Sequence, residues 1–461
     1  MKYAAYNEYK SSGSNWLDSV PSHWNVKPLK LIVKMPITDG PHETPEFIPD
    51  GVPFASVEAV WDGKVHLSSV RGYISENDHR RYGKKYHPKK DDILIVKSGS
   101  TTGKIAIVDF DDDFNVWSPL AAVRCDVSQA CPEFVFYALS SNYFQRLIQV
   151  SWSFGTQPNI GMGVLGNLPA VLPPIFEQQT IARFLDAKTA QIDALVAQKR
   201  QLIAKLKEKR SALIARTVTR GLPPEAAKAA GLEPNPEMKD SGVEWLGRIP
   251  HLWAPVPLGY LVKMRGGATP DKGKPEYWAG EIPWVSPKDM KVPRIFDAED
   301  HISDEGLRNS PLSLIPNESL LIVVRGMILA HSFPVALSMR ELTINQDMKA
   351  LVCSRRIRPE YLYWALCGFS SALVALADES AHGTKKIEAT ILAKFPVLVP
   401  PITEQQAITA YLHRKTKRLD QLGARIEAAV SRLTEYRQAL ITSVVTGKID
   451  VRDWQSELEA A

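Results

Sequence analysis

The sequence predicts an α+β chain in which two tandem-duplicated α/β domains are separated by two long helices that form an antiparallel coiled coil. An internal repeat is the first observation behind this prediction: "PPIFEQQTIARFL" from Pro173 returns as "PPITEQQAITAYL" from Pro400, 227 residues later. The second is an apolar residue at nearly every seventh position after each copy, a spacing typical of helices that supercoil. A repeat of this kind indicates a duplicated unit rather than one large domain.

The repeat extends through most of each half in the same order. "SGSNWLDSVPSHW" from Ser12 corresponds to "SGVEWLGRIPHLW" from Ser241, and "PEFVFYAL" from Pro132 corresponds to "PEYLYWAL" from Pro359. Short apolar runs such as "DDILIVKSG" stand beside helical pieces such as "PEFVFYALSSNYFQRLI", which predicts mixed strands and helices in each domain. The predicted boundaries are 1–172 for the first domain, 173–221 for the first long helix, 222–242 for a Pro-, Gly- and Ala-rich linker, 243–399 for the second domain and 400–461 for the second long helix.

Each long helix is predicted to begin just after a Pro-Pro pair. In the second copy, Thr403 and Gln406 have the spacing of a capping box, so Thr403 is the expected cap. The apolar stripe predicts the seam of the helix pair, and its members are Leu185, Ile192, Leu206, Leu213, Leu412, Leu419, Ile426, Leu433 and Leu440, with Lys199 as the one polar interruption. We expect an antiparallel pair with one mixed domain at each end. A parallel pair would force the linker back along a helix of roughly 66 Å, at about 1.5 Å per residue.

Bulk composition narrows the class of protein. The chain has 44% hydrophobic and 23% charged residues, the balance of a soluble globular protein. No apolar run approaches the roughly 20 residues of a membrane helix, and no signal-peptide pattern opens the sequence. Four cysteines without CxxC spacing predict a reduced, cytoplasmic setting. The net charge of +5 is mild, but basic residues cluster in 80–90 and 199–220, which suits a polyanionic partner.

Two related but unequal domains on a rigid helical spacer are suited to measuring a distance. Double-stranded DNA is the natural ligand, because its helical turn repeats at about 34 Å and dimeric readers match that spacing. The framework segments repeat, whereas the sequence between them diverges. This divergence indicates that each half reads something different.

On these segments the chain resembles the specificity subunits of type I restriction-modification systems. The resemblance rests on the openings "WLDSVPSHW" and "WLGRIPHLW", on the two helix starts, and on the helix ends "VTRG" and "VVTGKIDVR". Each segment alone is a weak signal, but all of them in order, twice, are specific. The resemblance implies two target-recognition domains, each reading one half of an asymmetric bipartite DNA site, with an unread gap set by the helices.

The resemblance also implies partners and a role without catalysis in this chain. The conserved helices would dock two modification (methyltransferase) subunits, which bind S-adenosylmethionine and methylate adenine. Restriction (endonuclease) subunits, which use ATP, would join them, so S-adenosylmethionine, ATP and Mg²⁺ are expected in the partners and no cofactor in this chain. No membrane partner is expected.

Candidate DNA-binding residues are basic, hydroxyl-bearing or amide side chains in loops. The loop "KSGSTTGK" offers backbone N–H groups and hydroxyls to phosphate oxygens, and "HRRYGKKYHPKK" pairs basic with aromatic residues. In the second half "VRGMILAHS" and "HGTKK" stand at corresponding places. An Arg or Lys reads guanine and a Gln reads adenine in the major groove, although ordinary exposed loops remain the alternative interpretation. The candidates are Arg80, Arg81, Lys84, Lys85, Lys97, Ser98, Ser100, Thr101, Thr102, Lys104, Thr156, Gln157, Arg325, Thr384, Lys385 and Lys386.

Enzymatic readings fit the sequence less well. The loop from Gly99 to Lys104 has only three residues between its glycines and is followed by Ile105, where a phosphate-binding loop needs Ser or Thr. The Pro-Pro pairs lack the Asn or Asp of an adenine methyltransferase, "DFDDDF" from Asp109 has the character of a loop, and the ten histidines show no zinc spacing. Three alternatives stay open: a specificity module of a methylation-only or fused type II system, a protein-only coiled-coil scaffold, and an intrinsic enzyme.

Overall fold

The computed structural model describes residues 3–14, 16–154, 157–379 and 384–455. The chain divides into two compact units: unit 1 comprises Met1–Arg200 and Ala428–Ala461, and unit 2 comprises Gln201–Glu427. Each unit contains one mixed α/β region and one segment of each long helix. The predicted α+β fold with a duplicated domain and two long helices is confirmed.

Unit 1 is built on two β-sheets. The larger has six strands in the spatial order Thr38–Asp39, Leu120–Val123, Ile93–Val96, Ile105–Ile107, Lys64–Val65 and Val60–Trp61; the smaller has the order Asn115–Val116, Val52–Ala55 and Gly72–Ile74. The remaining strands pair as Tyr9–Ser14 with Leu17–Pro21, Asn25–Pro28 with Pro169–Leu172, and Ser153–Phe154 with Pro158–Asn159. The short helices are Glu76–Gly83, Pro132–Ser140, Asn142–Val150 and Met162–Asn167. The central strand Ile93–Val96 is buried throughout, which explains its unbroken apolar sequence.

Unit 2 repeats this plan. Its larger sheet has the order Val262–Gly266, Met348–Cys353, Leu320–Val323, Val335–Ser338 and Arg294–Ile295; its smaller sheet has the order Asp300–Ile302, Ile282–Val285 and Thr343–Ile344. The other strands pair as Met238–Asp240 with Arg248–Pro250, Ala254–Pro257 with Pro396–Val399, and Asp378–Glu379 with Lys385–Lys386. The short helices are Pro224–Ala229, Asp304–Arg308, Pro359–Gly368, Ser370–Val374 and Ala389–Lys394.

The long helices span Ile175–Arg220 and Ile402–Val445, and their segments run in opposite directions within each unit. In unit 1, Arg437 pairs with Asp193 at 2.9 Å, while Trp454, beyond the end of the second helix, packs on Phe184. In unit 2, Arg210 pairs with Asp420 at 3.0 Å. A Cβ on Gly221, just past the end of the first helix, would lie 3.5 Å from the Glu404 carboxylate.

The predicted seam residues are buried to different degrees. Those buried are Leu185, Ile192, Leu412, Ile426 and Leu440; those half-buried are Leu206, Leu213, Leu419 and Leu433. Lys199, the polar interruption, is half-buried as well. Burial along the stripe is therefore deepest where the helix segments also pack on a mixed domain, as Leu185 and Leu440 do in the core of unit 1 and Leu412 does in that of unit 2.

The repeated Glu-Gln-Gln triplet ties each helix start to its own mixed domain. Gln178 accepts a hydrogen bond from the N–H of Cys131 at 2.8 Å and donates to the carbonyls of Gln129 and Pro173. Gln405 makes the same three bonds, to residues Arg358, Arg356 and Pro400, each 227 positions later. The predicted capping box is wrong: the helix begins at Ile402, so Thr403 lies inside its first turn, and Gln406 is exposed.

The repeated tryptophan of each opening segment completes this junction. The indole N–H of Trp24 donates to Glu177 at 3.1 Å, and that of Trp253 donates to Glu404 at 2.9 Å; both indoles are fully buried. The helix ends meet the same indoles through a glycine with positive φ, a conformation that favours glycine at a helix C-terminus. Gly447 has φ +73° and approaches Trp24, and Gly221 has φ +82° and approaches Trp253. In each unit the opening segment with its tryptophan, the start of one long helix and the end of the other therefore form one junction. This shared junction explains why the three segments repeat together.

Within the described residues, none of the helices combines the length and the apolar character needed to cross a membrane.

Candidate nucleic-acid interface

The Gly-rich loop at 97–104 is a hairpin connection between the antiparallel strands Ile93–Val96 and Ile105–Ile107. It is held from outside by the segment 157–160. The N–H of Gly99 donates to the Pro158 carbonyl at 3.1 Å, and the N–H of Ile160 donates to the Lys97 carbonyl at 2.8 Å. Gly99 has φ +102°, a value that a residue with a Cβ rarely adopts. The backbone of this loop is therefore preorganised.

The side chains of the loop divide into internal and outward ones. The Thr102 hydroxyl donates to the carbonyls of Gly99 and Pro158, so it stabilises the loop itself. Ser100 and Lys104 are exposed, and Ser98 and Thr101 are half-buried. Lys104 makes no ion pair with any residue that the structure describes, so its charge is available to an anion. Gln157 is exposed beside the loop, and Thr156 lies outside the described residues.

A groove of about 690 Å³ lies against this loop and adds residues that the sequence did not single out. Arg71 stacks its guanidinium on the Trp117 ring, 4.9 Å from the centroid, and pairs with Glu58 at 3.6 Å. Trp61 is 45% exposed and stacks on the His66 ring at 3.5 Å. Aromatic rings beside a cation suit a nucleic acid. A tryptophan among apolar residues is normally predicted to be buried in the core. Trp61 therefore becomes a candidate contact residue only because the structure shows it exposed.

Two of the candidate lysines are bound to a buried carboxylate. Asp39 is fully buried, and it pairs with the ammonium groups of both Lys85 and Lys97, the latter at 3.1 Å. Lys97 is itself only 14% exposed. His42 approaches the same carboxylate at 3.1 Å. The geometry therefore gives Lys97 and Lys85 a structural role, joining the strand Thr38–Asp39 to the loop and to the end of the helix Glu76–Gly83.

The Asp39 ion pairs predict acid sensitivity of unit 1. Burial by itself would raise the pKa of Asp39, but hydrogen bonds and charges from Lys85 and Lys97 outweigh it and lower the pKa. A carboxyl with a lowered pKa stabilises the fold above its unfolded pKa of about 3.9, and this contribution is lost as the pH falls through the folded value. Asp39→Asn should therefore lower the free energy of unfolding by about 3 kcal/mol at pH 7.

Urea unfolding of wild type and Asp39→Asn between pH 7 and pH 3 measures this effect. We expect the difference between the two proteins to shrink below about pH 4. Asp109→Asn, which removes the exposed pair between Asp109 and Lys64, is the matched control and should change the stability by no more than about 0.5 kcal/mol. A difference that is the same at every pH would contradict the assignment of this ion pair.

The basic helix Glu76–Gly83 presents its charges unequally. Arg81 is held by Asp78 and Glu43, each at 2.7 Å, and lies over the Tyr82 ring. Arg80 and Lys84 are exposed and make no ion pair with a residue in the described ranges. Arg80 and Lys84 are therefore the cations of this segment that remain available to a phosphate backbone.

In unit 2 the corresponding loop docks in the same way. The N–H of Gly326 donates to the Lys385 carbonyl at 3.0 Å. The backbone of Arg325 forms an isolated antiparallel β-bridge with that of Lys386, just as Ser98 does with Asn159 in unit 1. The Arg325 side chain is 51% exposed and lies 3.8 Å from Asp347. Lys386 lies 3.7 Å from Glu388, and Thr384 and Lys385 are half-buried. The tip of this loop is apolar, since Met327 is 73% and Ile328 is 45% exposed.

Each unit also has a groove where its mixed domain meets the long helices. In unit 1 it has a volume of about 730 Å³ and in unit 2 about 770 Å³. Five of the lining positions correspond by the repeat shift and carry the same residue type: Glu133 and Glu360, Thr189 and Thr416, Asp193 and Asp420, Ala197 and Ala424, and Arg437 and Arg210. In each groove the Asp and Arg form the ion pair between the two helices.

Comparison with known proteins gives a family. Residues 22–205 and 250–432 match the family described as type I restriction modification DNA specificity domain. The EcoR124I/EcoR124II specificity subunit of Escherichia coli is 28% identical over 370 residues, which cover 77% of this chain and 78% of that protein. The HindI specificity subunit of Haemophilus influenzae is 23% identical over 410 residues, covering 78% and 87%.

Solved structures show the same fold. One comes from a study of complex assembly and conformational transition of the type I R-M system; it aligns with a TM-score of 0.65 over 93% of this chain and 99% of its own, at 17% identity. The HsdS subunit from Thermoanaerobacter tengcongensis aligns with a TM-score of 0.50 over 93% and 98%, at 16% identity.

Proposed function

The chain belongs to the family of type I restriction-modification DNA specificity domains, and we propose that it reads an asymmetric, bipartite DNA sequence with one loop surface in each unit. One observation supports this proposal above the others. The loops that contain Gly99 in unit 1 and Gly326 in unit 2, here called the recognition loops, dock on the neighbouring strand through equivalent backbone contacts, but the side chains at equivalent positions differ. Ser98 corresponds to Arg325, Gln157 to Thr384 and Asn159 to Lys386.

The differing side chains suit different half-sites. In unit 1, Gln157 and the hydroxyl-bearing Ser100 and Thr101 line the groove, and Lys104 and Arg71 line it as the cations for phosphates. In unit 2, the half-exposed Arg325 would read a guanine, and the exposed Met327 and Ile328 would contact a thymine methyl group. A common frame with unlike contacts is what reading two unequal half-sites requires.

The chain acts in this proposal as a non-catalytic, cytoplasmic subunit. Two adenine methyltransferase subunits dock on it, and restriction subunits complete the nuclease. S-adenosylmethionine, ATP and Mg²⁺ bind to those partners, and this chain determines which DNA sequence the complex recognises.

The paired grooves beside the long helices are the proposed methyltransferase docking sites. A partner present in two copies needs the same surface twice, whereas a DNA reader needs two different ones. The Glu, Thr, Asp, Ala and Arg at corresponding positions of both grooves support the first condition. The unlike side chains of the recognition loops support the second.

Blocking one groove should remove one methyltransferase. Ala197 and Ala424 are exposed, line the two grooves and lie in helices, where arginine is well tolerated. We expect Ala197→Arg or Ala424→Arg to give complexes with a single methyltransferase in native mass spectrometry, because an unmatched charge at an interface costs several kcal/mol. Both changes together should leave none. Ala204→Arg, at an exposed helical position outside the grooves, is the control and should bind two.

The test of the proposed function is the methylome of a host that expresses this chain with its methyltransferase. A new methyladenine motif in two unequal parts with a fixed gap is expected, and it should be absent without this chain. If the complex assembles and no new motif appears, a protein-only scaffold is the better account. Cleavage that accompanies methylation without a restriction subunit would instead favour a fused type II system.

A further inference from the structure

The described part of unit 1 contains one cluster of imidazole and carboxylate groups that the DNA-reading role does not use. His79, His87 and Asp113 place one ligand atom each within 4.8 Å of one another. His79 comes from the helix Glu76–Gly83, His87 from the segment after it, and Asp113 from the acidic loop at 109–113. The imidazole of His87 already lies 3.1 Å from the Asp113 carboxylate. Nothing in the sequence spacing announces this cluster, because its third member comes from a different loop.

The His79 ring is held so that one nitrogen stays available. Its Nδ1 lies 2.5 Å from Oδ1 of Asn115, and an amide oxygen only accepts, so Nδ1 carries the hydrogen and Nε2 keeps its lone pair. Asn115 is itself buried, and it lies in the strand Asn115–Val116 that pairs with Val52–Ala55. A ligating histidine whose other nitrogen donates to a fixed oxygen is the usual arrangement at a metal site.

We propose that His79, His87 and Asp113 bind a divalent transition-metal ion of the Zn²⁺ type. Two imidazoles and one carboxylate select such an ion over Mg²⁺ or Ca²⁺, which prefer oxygen ligands alone. Tetrahedral coordination at about 2.0–2.1 Å brings ligand atoms to about 3.3 Å from one another. The cluster reaches this spacing by side-chain rotation, because Asp113 is 68% and His87 is 37% exposed. The fourth position faces solvent and takes a water molecule.

The ion would connect the basic helix to an acidic loop. Asp109, Asp111, Asp112 and Asp113 lie together in sequence. Among the residues that the structure describes, only Asp109 and Asp111 have lysine partners, Lys64 at 2.7 Å and Lys90 at 3.6 Å. A bound cation offsets the charge of Asp113 and fixes this loop to the helix Glu76–Gly83, which carries Arg80 and is followed by Lys84. The site therefore organises the basic surface of unit 1 without taking part in any reaction.

Titration of the chelator-treated full-length chain with Co²⁺ tests the proposal, since Co²⁺ replaces Zn²⁺ and its visible absorption reports the ligands. We expect one Co²⁺ per chain with a four-coordinate spectrum. His79→Ala, His87→Ala and Asp113→Asn should each weaken binding at least about tenfold. His331→Ala, which removes an exposed histidine of unit 2, should bind like wild type. Asn115→Ala, which removes a positioning residue, should weaken binding about tenfold and leave the spectrum unchanged.

Asp113→Asn keeps the test decisive if a histidine variant fails to fold, because Asp113 is an exposed loop residue. Circular dichroism identifies such a failure. Absence of a stoichiometric Co²⁺ spectrum in the wild type would overturn the proposal. Binding that is equally strong in folded His87→Ala and Asp113→Asn would overturn it as well, because the ion would then lie elsewhere.

Discussion

Glu177→Gln should lower the free energy of unfolding of unit 1 by roughly 3 kcal/mol. The Glu177 carboxylate is 1% exposed and accepts three hydrogen bonds: from the Tyr6 hydroxyl at 2.6 Å, from the Trp24 indole at 3.1 Å and from His23 at 2.8 Å. Burial and the neighbouring carboxylate raise the pKa of Tyr6 far above its usual value, so its hydroxyl remains a donor at any working pH. Glutamine has the same shape as glutamate but no charge, and its NH₂ group would face buried donors. Each buried polar group left without a partner lowers the free energy of unfolding by about 1–3 kcal/mol.

The duplicate position provides a matched control. Glu404 is half-buried and accepts the indole N–H of Trp253, but residues equivalent to Tyr6 and His23 do not contribute bonds in the described part of unit 2. Glu404→Gln should therefore destabilise unit 2 by only about 1 kcal/mol. Because the two units need not unfold together, hydrogen exchange of peptides around Trp24 and Trp253 is the appropriate measurement. Equal losses in both units would contradict this account of the junction.

The duplication made most of the architecture predictable from the sequence. Large and polar residues recur at equivalent positions of the two halves. Examples are Trp24 with Trp253 and the two Glu-Gln-Gln triplets, and such recurrence indicates a shared structural role. The structure supplies it as one buried junction in each unit. Residues with the same structural role in both units repeat in the sequence, so the repeat identified the junction residues before their contacts were known. The predicted cap at Thr403 is wrong because the helix already begins at Ile402, so Thr403 lies inside the first turn, and Gln406 is exposed.

The candidate DNA surface was only partly predictable, because charge in a sequence does not reveal its partner. Lys97 and Lys104 stand in the same loop and look alike in sequence, yet Lys97 is paired with buried Asp39 while Lys104 is exposed. The acidic partner lies far away in sequence, at the edge of the sheet. The sequence did not identify Arg71 and Trp61, because neither lies in a run of basic residues. Only the folded sheet brings them beside the loop.

Arg325→Ala and Lys104→Ala should change DNA recognition in different ways, which separates base reading from phosphate binding. Arg325 is proposed to read a guanine, so its loss should relax the specificity at one position of one half-site by about 1–3 kcal/mol. Lys104 is proposed to hold a phosphate, so its loss should weaken binding about equally for all sequences and lower the salt slope by about one. The measurement is methylation by the assembled complex of a library of sites at several salt concentrations.

Arg340→Ala, which removes an exposed arginine of unit 2 outside the recognition loop, is the control and should leave the motif unchanged. The position of the relaxed base matters as much as its existence. Since Arg325 belongs to unit 2 and Lys104 to unit 1, Arg325→Ala should leave the half-site read by unit 1 intact, and the gap between the half-sites should stay fixed. If Arg325→Ala instead weakens all sequences equally, Arg325 binds the backbone. The specificity of unit 2 would then come from Lys385, Lys386 or the apolar tip at Met327 and Ile328.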